Sequence, residues 1–161
     1  MGFAVRWTLA IFLAVAVQSS VVYFIAYDGV KPDFVLIFVA FAGILYGRIH
    51  GMVIGFFCGL FLDLLNTSMF GFSTFTLLLA GLISGMIQKK VFEDSSLLPI
   101  VLIFSFSLCQ QFLWNICLLL GGYRLTDLQM LFTISLVKVL YNTFMSLPLL
   151  FVFNRVKKAI A

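Results

Sequence analysis

A chain of 161 residues that is 63% hydrophobic and only 10% charged cannot hide its apolar side chains in a soluble core of this size, which excludes a water-soluble globular domain. The net charge of +4 comes from ten lysines and arginines against six acids, and the basic residues sit in short gaps between apolar runs, where they orient a chain in a bilayer and form no nucleic-acid surface. The length suits a single polytopic membrane domain over residues 1–161.

The first apolar run, residues 7–27, follows Arg6 in the manner of a signal peptide. It is long enough to cross a bilayer and lacks a small-residue cleavage site, so it reads as a retained helix, with Ala10 and Ala14 at close-packing spacing. The second run, 34–46, opens after Pro32-Asp33, and Asp33 suits a helix start because its carboxylate faces the positive end of the helix dipole. Gly47-Arg48-Ile49-His50-Gly51 joins it to the third run, 52–65. Both runs are short against the roughly 17 to 25 residues a bilayer requires, so either a hairpin through a thin membrane or a re-entrant pair fits.

Across these two runs a glycine recurs at every fourth position, Gly43, Gly47, Gly51, Gly55 and Gly59, and Asp63 takes the next step. Glycines let helix backbones approach in lipid, where no hydrophobic drive brings them together. Asp63 lies near the C-terminal end of its helix, where the dipole disfavours a carboxylate, so whatever packs on Gly55 and Gly59 must bring it a donor. Arg124 in an outer turn is one candidate; the membrane segment of a partner protein, docking on Gly55, Gly59 and Asp63, is the other.

The fourth run, 72–87, carries Gly81 and Gly85 at close-packing spacing and precedes Lys89-Lys90. The fifth and sixth runs, 97–120 and 128–153, form a hairpin whose outer turn spans 121–127. Gln111 and Lys138 lie 13 and 14 residues from Arg124, and so at nearly equal depth; Asn115 and Asn142 each fall one turn away. This intramembrane polar cluster of Gln111, Asn115, Lys138 and Asn142 reads first as an interhelical clamp. Alternatively, it is a small-molecule pocket walled by Trp114, Tyr123 and Tyr141. Cys58, Cys109 and Cys117 read as small buried hydrophobes, and His50 has no metal-ligand neighbours. No catalytic set is complete, so neither enzyme nor cofactor is expected.

With six spans, one side gathers Arg6, Arg48, Lys89, Lys90, Arg155, Lys157 and Lys158, and the other only Lys31 and Arg124, with Lys138 inside the last span. This split predicts six transmembrane helices in an all-α membrane protein, with both termini in the cytoplasm.

Pro32-Asp33, the segment Gly59-Leu60-Phe61-Leu62-Asp63-Leu64-Leu65, the short loop reaching Gly71 and Lys89-Lys90 together resemble the bacterial rod shape-determining MreD family. The loop residues Asn66-Thr67-Ser68-Met69-Phe70 depart from the glycine or proline common there. The resemblance implies a non-enzymatic subunit of the cell-elongation machinery in the bacterial cytoplasmic membrane. It would work with MreC and, through it, with the SEDS glycosyltransferase, its class B transpeptidase and MreB filaments. The chain is also similar in outline to the substrate-binding subunits of energy-coupling-factor vitamin importers. In that alternative, Ala10 and Ala14 would contact a transducer and the polar cluster would hold the vitamin.

Overall fold

The computed structural model describes residues 2–20, 30–65, 69–88, 97–121 and 128–160, the side chains of 2–7, 128–132, 152, 154 and 156–160 aside. The described chain is all-helical: α1 (Gly2–Ser20), α2 (Phe34–Tyr46), α3 (Arg48–Leu65), α4 (Phe72–Met86), α5 (Leu98–Leu120) and α6 (Leu128–Ile160). Three stretches are long and apolar enough to cross a membrane: Arg48–Leu65, Leu98–Leu120 and Thr133–Phe151. Three further apolar stretches, Thr8–Ser20, Phe34–Tyr46 and Phe72–Met86, are shorter.

The boundaries correct the sequence reading at the second gap. The third helix begins at Arg48, so the interruption between α2 and α3 shrinks to Gly47 alone. At φ +86° this residue takes a conformation that glycine adopts without penalty, and it closes the turn by donating its N–H to the Gly43 carbonyl at 2.9 Å. Likewise α6 runs past the predicted end and carries Arg155, Lys157 and Lys158 on its last two turns.

A helix that is apolar on every side must be surrounded, and α2 is. Nine of its residues are buried, Gly43 against α3 and α4 and the other eight in two sets. Val35, Leu36, Val39 and Ala42 join Ile11 and Val15 of α1, Ile54, Cys58 and Leu62 of α3, and Leu77 and Ala80 of α4. Ile37, Ala40, Phe41 and Ile44 meet Ile103 of α5 and Phe153 of α6, with the Phe41 and Phe153 rings stacked 4.8 Å apart. The central helix thus joins two halves of the core. The outward faces of α3, α5 and α6 stay apolar and exposed, as at Phe57, Phe61, Phe112 and Phe144, which suits contact with lipid.

The glycine repeat sets the pairing of α3 with α4. Ideal Cβ atoms built on Gly51, Gly55 and Gly59 would collide with the backbone of Gly81, Leu77 and Thr74 respectively, and one on Gly85 would strike the backbone of Arg48. Each four-residue step along α3 is answered by a step of three or four back along α4, so the two helices run antiparallel with their backbones in contact. Gly43 of α2 enters the same point: a Cβ there would stand 2.7 Å from the Gly81 carbonyl oxygen, and one on Gly51 only 2.6 Å from the Gly43 Cα.

Candidate functional site

Two buried polar nodes organise the molecule, and each completes a helix N-terminus that its own sequence leaves incomplete. The first is centred on Asp63. Helix α4 starts after Gly71, a residue with no side chain to cap the first turn. Asp63 supplies the cap from the end of α3. Its Oδ2 accepts from the N–H of Gly71 at 3.0 Å, the N–H of Thr74 at 2.8 Å and the Thr74 hydroxyl at 2.6 Å, while Oδ1 accepts from the N–H of Ser73 at 3.0 Å. The carboxylate at the negative end of α3 therefore lies at the positive end of α4, which offsets the unfavourable dipole.

The face of Gly55, Gly59 and Asp63 is thus filled within the chain. This corrects the expectation that a partner protein docks there: α4 occupies the glycines and brings the donors, and Asp63 is only 2% exposed. The alternative donor, Arg124, lies outside the described residues. The sequence condition, that whatever covers the glycines must also satisfy the acid, is met by α4.

The second node surrounds the start of α2. At 13 residues this helix is about 20 Å long, too short for a hydrocarbon layer of about 30 Å. Asp33 caps it, accepting from the Leu36 N–H at 3.0 Å. The N–H of Asp33 donates to Oδ1 of Asn142 at 2.7 Å, and its Oδ2 accepts from Nε2 of Gln110 at 3.2 Å. Asn142 in turn donates to the Ser107 hydroxyl at 3.0 Å. From α1, Gln18 donates to the Pro32 carbonyl at 3.0 Å and accepts from the Phe34 N–H at 2.9 Å.

Depth explains this concentration of amides. Asn142 is 14 residues from Leu128 and 18 from Ile160 at the ends of α6, and Gln110 is twelve residues from Leu98 and ten from Leu120 at the ends of α5. Both stand near the middle of helices that can cross a membrane, so α2 begins near half-depth and non-helical residues 31–33 lead into it. Irregular backbone is tolerated there only when protein satisfies its polar groups. Side chains of α1, α5 and α6 do so.

The predicted cluster is consequently divided. Gln111 and Asn115 both donate to the hydroxyl of Ser135, at 3.4 and 3.2 Å, and so clamp α5 to α6. Asn142 belongs to the Asp33 node one level away. Lys138 joins neither group: it makes no hydrogen bond to the three amides, which corrects the expectation that the four residues form one cluster. Trp114 packs edge-on against Phe72 at 5.1 Å and ties α5 to the start of α4; Tyr123 lies outside the described residues. Gln18, Gln110, Ser107 and Ser135 are the participants that spacing arguments missed. A stripe of Ser107, Gln111 and Asn115 at four-residue intervals carried the signal for part of this set.

These roles predict unequal sensitivities. Asn142→Leu strands the Asp33 N–H at half-depth and should lower stability in detergent by about 2 kcal/mol. Lys138→Met should stay within about 0.5 kcal/mol of the parent. Thermal unfolding of the two variants side by side checks the ranking.

Among known protein families, the model described as rod shape-determining protein MreD matches residues 1–158. No curated protein and no solved structure matches the chain.

Proposed function

The chain belongs to the MreD family of rod shape-determining membrane proteins, and from that premise we propose that it acts as a non-catalytic scaffold subunit of the bacterial cell-elongation complex. The match over residues 1–158, nearly the whole chain, is the observation that carries this reading. In it, the chain holds the membrane-anchored protein MreC and, through MreC, the SEDS glycosyltransferase, its transpeptidase and MreB filaments. The buried nodes support a scaffold: Asp33, Asp63, Asn142 and Ser107 are engaged with one another or with backbone, as suits a rigid support. The vitamin-importer alternative takes Ala10 and Ala14 as a transducer contact and Gln111, Asn115, Lys138 and Asn142 as a pocket; against it, the three amides bind Ser135, Ser107 or the α2 start.

The same proposal places the chain in the cytoplasmic membrane with six spans and both termini inside, on the strength of the basic-residue split. Single cysteines at positions 94 and 124, in a background without Cys58, Cys109 and Cys117, test it: an impermeant thiol reagent added outside should label position 124 and spare position 94. The reverse labelling would overturn the topology.

Function is tested by expressing the chain in a rod-shaped bacterium that lacks its own copy. Rods should return and MreC should co-purify with the chain. Spherical cells at normal membrane abundance, with no MreC recovered, would overturn the scaffold reading. Saturable vitamin binding by the purified chain would favour the importer.

A further inference from the structure

We propose that the hollow between the α2–α3 turn and the end of α4 binds the phosphate headgroup of an acidic phospholipid. The hollow is an open surface depression of about 440 Å³, and a single water needs only about 10–15 Å³ of such space. Gly47 and Gly85 let the end of α4 press against the turn, where a Cβ on Gly85 would collide with the Arg48 backbone, and the hollow opens beside this contact.

Among the described residues its chemistry is one-sided: Arg48 and His50 line it and no acidic residue does. Arg48 is exposed and forms no ion pair or hydrogen bond with a described residue, so its guanidinium can give a phosphate two parallel donors. The His50 ring is fixed by Nδ1, 3.1 Å from the Tyr46 carbonyl oxygen. Because a carbonyl only accepts, Nδ1 carries the hydrogen. Gln88 donates to the Leu45 carbonyl at 3.3 Å and holds the α4 end against the turn.

The rim decides between a lipid and a free phosphate. Ile49 and Met86 are 65% and 64% exposed, and Tyr46 stands beside them at 37%. Apolar side chains next to the Arg48 cation, where three apolar helices have their ends, fit a molecule with a phosphate and an acyl chain. A soluble phosphate would leave that rim unused.

The test measures the lipid retained by purified protein after exchange into nanodiscs of equal phosphatidylglycerol and phosphatidylcholine. Wild-type protein should enrich phosphatidylglycerol about fivefold. The double variant Arg48→Gln, His50→Gln should fall below about twofold. Both side chains are exposed, so its melting temperature in phosphatidylcholine alone should match the parent. Arg155→Gln, which removes a cation that lies over the Phe151 ring and outside the hollow, should keep the full enrichment. Unchanged enrichment in the double variant would overturn the site, as would an equal loss in Arg155→Gln. Displacement of the lipid by millimolar glycerol phosphate would assign the hollow to a soluble phosphate and overturn the lipid.

Discussion

Asp63→Leu should destabilise the folded protein by about 3 kcal/mol and release the start of α4 from α3. The substitution orphans the N–H groups of Gly71, Ser73 and Thr74 together with the Thr74 hydroxyl, all of which now meet one carboxylate. An unsatisfied buried group costs about 1–3 kcal/mol, but these four donors are half-buried and water can reach some of them, so the sum stays near the cost of one or two; Gly71 offers no replacement cap. Leucine also makes insertion of α3 easier, so the variant should reach the membrane in normal amount and fail afterwards, in packing. Asp63→Asn keeps an acceptor and loses the charge, and should recover about half of the deficit. The measurement is thermal unfolding of the three proteins in one detergent. Equal melting temperatures for parent and Asp63→Leu would refute the cap.

Gly81→Ala should cost about 3 kcal/mol, at the upper end for a single added methyl. Its Cβ would enter the carbonyl of Gly51, and the backbone there cannot rotate away as a flexible side chain would. Gly43 and Gly51 crowd the same point, so α2, α3 and α4 would all have to part. Gly71→Ala gives the contrast. Nothing lies within 4 Å of its Cβ position, and only its positive φ of +93° penalises a side chain, at about 1 kcal/mol. A cysteine pair placed across α3 and α4 should crosslink readily in Gly71→Ala and poorly in Gly81→Ala. Equal crosslinking would show that the helices tolerate the methyl.

The period of the glycines and the position of Asp63 made close packing and a required donor legible in the chain, because both follow from spacing along one helix. Which element supplied the donor was not legible. That depends on the fold back through a short connection, and glycine says only that something approaches. Asp33 was readable as a cap from Pro32-Asp33 alone. Its partners Gln110 and Asn142 were not, since 77 and 109 residues separate them from it. Lys138 shows the opposite error: equal depth placed it near the amides, but depth does not fix rotation about the helix axis, and the hydroxyl of Ser135 takes both amide donors instead. Serine escaped attention because its polarity is mild and it resembles alanine in size.

The half-length α2 carries a consequence for how the protein is made. Among the described residues the backbone N–H of Asp33 is satisfied by Asn142, which the ribosome adds 109 residues later. At about 5–20 residues per second, roughly 5–20 s pass in which the entrance to the central helix lacks its partner. A chain terminated before α6 would hold this entrance only through Gln18 and Gln110, with the Asp33 N–H left unmatched. The last helix to emerge is therefore the one that locks the second into place.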